Sequence, residues 1–152
     1  MSDNNQFENI LPVAPLKIAA LESCREFAEK VDRYLVDFRR TANTQHRDNV
    51  YFQDYAQDSY LIECSCPRFG TGEAKGRLGE SVRGSDLFIM VDICNYSLTY
   101  SLCGMVNHMS PDDHFANLKR LIQAVAGKAH RVSVIMPSLY GGRQHRRVVR
   151  ES

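Results

Sequence analysis

Leu87-Phe88-Ile89-Met90-Val91 is an unbroken apolar run introduced by Asp86. A strand with one wet face alternates apolar and polar residues, so a run without alternation reads as a strand buried on both faces. Such strands belong to parallel sheets, whose neighbours are joined by a crossover. The chain supplies one. Ser110-Pro111 has the form of a helix N-cap followed by proline at the first helical position, and Asp112 and Asp113 suit the positive end of the helix dipole. Phe115, Leu118, Leu121, Ile122 and Val125 recur at helical spacing, and Gly127 stands where a left-handed C′ residue belongs. Arg131-Val132-Ser133-Val134-Ile135-Met136 then reads as another strand, ended by Pro137. Strand, helix and strand over 87–136 make a βαβ unit with a right-handed crossover.

The remaining segments extend that reading. Residues 1–15, with Pro12 and Pro15, form a leader without period, expected to be flexible. Leu16–Leu21 reads as a short strand. Ser23 is placed as an N-cap with Glu26 as its capping-box partner. Behind it Cys24, Phe27, Ala28, Val31, Tyr34, Leu35 and Phe38 form a helical stripe, expected to be buried, with Arg25, Glu29, Lys30 and Arg33 outside. Residues 40–57 read as an irregular excursion. Tyr60–Cys64 resumes strand character, and Gly70-Thr71-Gly72 marks a turn from which the chain returns toward Leu78 as a hairpin, although Gly76 weakens strand pairing. The fold class is α/β, a three-layer sandwich with a mostly parallel sheet, over a domain spanning 16–152.

Composition limits what such a domain does. With 152 residues and a net charge of +1, the chain has one core and no large electrostatic footprint for nucleic acid or an anionic membrane surface. No apolar run approaches the ~20 residues of a membrane span, and the polar start (Met1–Gln6) is not a signal peptide. Five cysteines without dense spacing fit a reduced, cytoplasmic protein. Cys64 and Cys66 share one face of a strand and read as small apolar residues rather than zinc ligands, which come in fours. Asp112, Asp113 and His114 are adjacent on a helix and do not share a face, so no metal site is assigned. His108 and His130 titrate, but no nucleophile or orienting carboxylate accompanies them at a diagnostic spacing, and no catalytic residue is assigned.

Two segments remain as candidates for chemistry. In open α/β sheets ligands bind beyond the carboxyl ends of the strands, and Gly141-Gly142-Arg143-Gln144-His145-Arg146-Arg147 follows such an end. Its arginines offer forked donors for phosphate oxygens, and Gln144 pairs a donor with an acceptor, as base recognition needs. A solvated basic tail explains the same composition. Arg68-Phe69-Gly70-Thr71-Gly72-Glu73 is a hairpin tip whose aromatic can stack on a base, or an ordinary turn with a partly buried phenylalanine.

In order and spacing, these stretches resemble the N-terminal domain of ribose-phosphate diphosphokinases, the phosphoribosyl pyrophosphate synthetases. Leu16–Ala20 with Ser23 is similar to the family's first strand and helix start. Arg68–Glu73 looks like its R-F-x-D/N-G/Q-E hairpin, and Glu80–Phe88 matches its E-x-V-R-G-x-D-hydrophobic stretch. The helix from Asp113 resembles N-D-N-L-M-E-L, and Val134–Pro137 running into Arg143–Arg147 resembles V-I-P…A-R-Q-D-R/K-R/K. The resemblance implies a phosphoribosyltransferase-like fold, ATP and magnesium as cofactors, a homo-oligomer, and ATP contacts from Arg143 and Gln144, with Arg146 and Arg147 beside them. It also implies that Phe69 packs on the adenine of a neighbouring subunit, with Thr71 and Glu73 at the polar hairpin positions. The implied reaction, a step of nucleotide biosynthesis, transfers the diphosphoryl group of ATP to ribose 5-phosphate.

His145 and Thr71 replace family acidic or amide residues, and 40–57 and 95–110 look like insertions, the second expanding the loop before the long helix. No acidic phosphoribosyl loop occurs in these residues. The expectation is therefore an ATP-side fragment, inactive alone, that meets ribose 5-phosphate only with a second domain. The alternative is an inert regulatory or assembly subunit.

Overall fold

A computed structural model describes residues 12–43, 55–144 and 146. Its centre is a four-stranded parallel sheet in the order β2-β1-β5-β8, formed by β1 (Leu16–Ala20), β2 (Leu61–Ile62), β5 (Asp86–Met90) and β8 (Arg131–Ile135). The apolar run of β5 sits between β1 and β8, with Ile89 opposite both Ala19 and Val134. Leu87, Ile89 and Met90 are at most 1% exposed, as expected for a strand covered on both faces. At the amino end of β5, Asp86 accepts a two-pronged hydrogen bond from Arg131 at 2.8 and 2.5 Å, which clamps β5 to β8.

The sheet divides the single core expected for a chain of this size into two clusters, one on each face. Leu87, Ile89, Val91, Leu118, Leu121 and Val125 pack on the side of α2 (Pro111–Val125). Ile18, Ala20, Ala28, Val36, Tyr60 and Met90 pack on the side of α1 (Arg25–Asn43). The α2 boundaries agree with the sequence reading. Ser110 and Asp113 form a reciprocal capping box, Pro111 occupies the first turn, and Gly127 takes φ 70° past the end.

The start of α1 differs from expectation. Leu21 precedes a 3-10 turn at Glu22–Cys24, and Ser23 makes no cap to α1; its hydroxyl accepts from the Asp92 N–H at 3.2 Å. The stripe of α1 also divides. Cys24 and Ala28 are buried, but Phe27, Tyr34 and Phe38 are 50%, 80% and 61% exposed. The buried face runs instead through Cys24, Ala28, Asp32 and Val36, spaced four apart. Small side chains let the helix lie close to the sheet. Asp32 is tolerated there because it accepts from the Tyr60 N–H (2.7 Å) and the Ser59 hydroxyl (2.8 Å).

Beyond β2 the chain leaves the sheet. β3 (Cys64–Ser65) pairs antiparallel with β4 (Arg77–Leu78), and Arg68 bridges Ala74 nearer the tip, which forms the expected hairpin. Cys64 is buried, and Cys66 packs partly buried against the same core, as two side chains on one face should. Between β5 and α2, where the sequence suggested an expanded loop, a second hairpin forms from β6 (Thr99–Leu102) and β7 (Met105–His108). Its tip residues, Cys103 (φ 52°) and Gly104 (φ 77°), are both left-handed, the geometry a two-residue hairpin loop requires. Most of the 40–57 excursion and of the leader lies outside the described residues. Among the described residues, no helix is long and apolar enough to cross a membrane.

Candidate functional site

The first turn of α2 is the hub of the candidate site. Asp113 has three partners: the Ser110 N–H (2.9 Å), the Ser110 hydroxyl (2.8 Å) and the Arg68 guanidinium (2.9 Å). Partial burial pushes its carboxyl up, but the Ser110 bonds and Arg68 outweigh that and hold it below the usual carboxylate range. Its neighbour Asp112 accepts from the Tyr140 hydroxyl, which pushes the phenol up. Consecutive aspartates thus tie down two separate segments. Arg68 belongs to the β3–β4 hairpin and Tyr140 to the segment after β8.

Arg68 fixes the hairpin from several directions. Its Nη1 donates to the Gly72 carbonyl at 2.9 Å across the tip, its Nη2 reaches Asp113, and its plane lies 3.8 Å from the centroid of Tyr100 in β6. The Arg68 side chain is 14% exposed and that of Asp113 22%, so the ion pair is largely shielded from water and salt. Within the tip, the Phe69 N–H donates to Glu73 O (2.7 Å) and the Gly72 N–H to Phe69 O (2.9 Å). Thr71 donates to the Glu73 carboxylate at 3.2 Å. The backbone of the tip is held, yet the Phe69 ring remains 54% exposed. The expected hairpin residues Phe69, Thr71 and Glu73 are therefore together on one pinned, outward-facing tip.

The segment after β8 is anchored differently. Tyr140 stacks on Phe115 of α2, with centroids 4.0 Å apart and planes 3° from parallel, and its N–H donates to the Met136 sulfur. Following it, the Gly142 N–H bonds Leu139 O, and the Gln144 N–H bonds Gly141 O at 2.8 Å. This compact turn presents Arg143, Gln144 and Arg146 at the surface. His145 and Arg147 lie outside the described residues.

A cleft of about 420 Å³ opens between the end of β1, β3, the β6–β7 hairpin and α2. Its wall includes the hairpin from Glu63 to Arg68, but not Phe69, Thr71, Glu73, Arg143 or Gln144. This cleft is therefore separate from the expected nucleotide contacts. Arg68, Tyr100 and Tyr140, which hold these segments, were not singled out as anchors from sequence. The carboxylates that tie two of them to α2, Asp113 for Arg68 and Asp112 for Tyr140, lie 45 and 28 residues away, beyond any local period.

His114 is 2% exposed and bonds through Nε2 to the Asn95 carbonyl at 2.8 Å, while the His108 ring stacks on Tyr96 and bonds its carbonyl. Both imidazoles hold the β6–β7 hairpin in place.

A parallel sheet clamped at its amino end, with anchored loops at α2 and after β8, defines a phosphoribosyltransferase-like α/β domain. Residues 16–152 match the N-terminal domain of ribose phosphate pyrophosphokinase, and the chain belongs to that family. No curated protein matches the chain.

Proposed function

We propose that this domain supplies the ATP side of a ribose-phosphate diphosphokinase, with each nucleotide held between two copies. The observation that carries the reading is Phe69: an aromatic 54% exposed on a tip whose backbone Arg68 and Asp113 hold still. A rigid, outward aromatic loses little entropy on stacking, and the ring lies outside the cleft between β3 and α2. In this proposal Phe69 of one copy covers the adenine. Arg143 and Gln144 of the other hold the nucleotide, with Arg146 and Arg147 adding positive charge, and Thr71 and Glu73 meet its polar edge.

In the reaction, the anomeric oxygen of ribose 5-phosphate attacks the β-phosphorus of ATP. The bond from that phosphorus to the α,β-bridging oxygen breaks, and AMP leaves. Such an in-line displacement depends mainly on positioning and charge stabilisation, which forked arginine donors suit. Among the described residues, no three His, Cys, Asp or Glu side chains gather as a metal cage. Magnesium retains waters and binds through nucleotide phosphates, so in this scheme it enters with the triphosphate. Ribose 5-phosphate binding is assigned to a second domain. A cytoplasmic setting fits the five free thiols.

Titration calorimetry with magnesium ATP tests the proposal. Arg143→Ala and Phe69→Ala each lower affinity roughly tenfold or more, the scale of a lost charged hydrogen bond or base stack. Mixing the two variants restores tight binding in part, because a mixed pair contains one intact composite site. Unchanged affinity in both variants removes the assignment.

A further inference from the structure

The α1 helix has two apolar faces, and only one of them meets the sheet. At about 100° per residue, Cys24, Ala28, Asp32 and Val36 lie on the sheet side. Phe27, Tyr34 and Phe38 fall within a narrow sector well away from it, joined to the core by the half-buried Val31. The spacing of 27, 31, 34 and 38 is four, three, four, the seam of a helix that packs against another helix. Exposed aromatics of 50%, 80% and 61% along one ridge are not scattered surface residues.

We infer that this ridge is a self-association surface on which α1 packs antiparallel against α1 of a second copy. Charge selects both partner and direction. Lys30 and Asp37 flank the ridge on the same side, are exposed, and have no ion pair among the described residues. In a two-fold antiparallel pair, Phe27 faces Phe38, Val31 faces Tyr34, and Lys30 of each copy lies near Asp37 of the other. A two-fold contact repeats every pairing, so both ion pairs form together. In a parallel pair the flank that carries Lys30 and Asp37 faces the opposite flank of the partner helix, so the two residues do not meet and neither ion pair forms. The three aromatics leave roughly 400 Å² of apolar surface per copy, about half of a standard interface side. Lys30, Leu35 and Thr41 supply the rim, and the pair is of moderate affinity. This surface is separate from the Phe69 hairpin and does not rest on the nucleotide proposal.

Sedimentation velocity of the full chain over a concentration series tests the inference. The wild type self-associates, and Tyr34→Glu raises the dissociation constant roughly thirtyfold, as loss of a central aromatic anchor does. Lys30→Asp and Asp37→Lys each weaken self-association alone, whereas an equimolar mixture of the two associates at least as tightly as wild type. These residues are exposed, and circular dichroism confirms that each variant is folded. A monomeric wild type, an association unmoved by Tyr34→Glu, or a mixture no tighter than its components overturns the inference. ATP affinity is read in parallel, so failure of the composite nucleotide site is seen separately.

Discussion

Gly76→Ala probes the contact on which the hairpin's position depends. Gly76 lies immediately before β4, against the backbone of α2. A Cβ there meets the Arg120 carbonyl oxygen at 2.4 Å, its carbon at 2.6 Å and the Leu121 nitrogen at 3.0 Å. Ordinary contact begins near 3.4 Å, so the hairpin and α2 have to separate by about 1 Å. Backbone cannot swing aside as a flexible side chain can. The separation loosens Leu78 and Leu121 in the core and strains the Arg68–Asp113 pair. Overpacking of this kind costs about 1–3 kcal/mol, and with backbone on both sides we expect the upper end, about 3 kcal/mol. For a domain of this size that lowers Tm by roughly 6–12 °C. Urea unfolding followed by circular dichroism measures it, with an unchanged m-value marking a pure stability effect. Gly70→Ala is the control, because nothing lies within 4 Å of its added Cβ. It is expected within about 0.5 kcal/mol of wild type. A Gly76→Ala protein as stable as the control refutes the close approach of β4 to α2.

Asp113→Asn removes the charge that joins Ser110 to Arg68, and we expect a loss of roughly 1–2 kcal/mol at neutral pH. Because the folded carboxyl titrates below its unfolded value of about 3.9, its stabilisation is complete above that pH and fades as pH falls through the lower folded value. The wild-type and variant unfolding curves therefore converge in acid; a constant gap down to the lowest pH contradicts the assignment. Thiol titration with a chromogenic disulfide at pH 8 should show Cys94 and Cys103, which are exposed, reacting promptly. Burial pushes Cys64 up to about 11 and raises Cys24 and Cys66, so these should react only on unfolding. Prompt reaction of all five argues against the packing of the β3–β4 hairpin.

Elements with strong local signals are legible in the sequence. β5 declared itself because a strand covered on both faces has no polar position to spare. The start of α2 was legible because Ser110, Pro111 and Asp113 each act within one turn. The period read for α1 is right, but the buried stripe is narrower than expected: Cys24 and Ala28 are covered, whereas Phe27, Tyr34 and Phe38 are not. Helical periodicity reveals that an apolar stripe exists, but when large aromatics and small residues both recur, it does not say which group meets the sheet. Ser23 illustrates the same limit: its hydroxyl suits a cap, and its actual donor, the Asp92 N–H, is 69 residues away.

The candidate site divides along the same line. Residue types alone pointed to the Phe69 tip and to Arg143 and Gln144 as groups able to stack on a base or grip phosphate, with an ordinary turn and a solvated tail as the alternatives; the family resemblance implied roles for Thr71 and Glu73, and the order of motifs placed the chain in its family. Sequence also determined the fold class, since apolar runs and caps act over a few residues. Tertiary structure decided what holds those groups and which way they face. Arg68 reaches Asp113 across 45 residues and Tyr140 reaches Asp112 across 28. Those contacts, which no local pattern encodes, leave the Phe69 ring on a fixed tip outside the chain's own cleft. Pairings of that kind arise only when the whole chain has folded, because what sets them is the shape of the space left between packed elements.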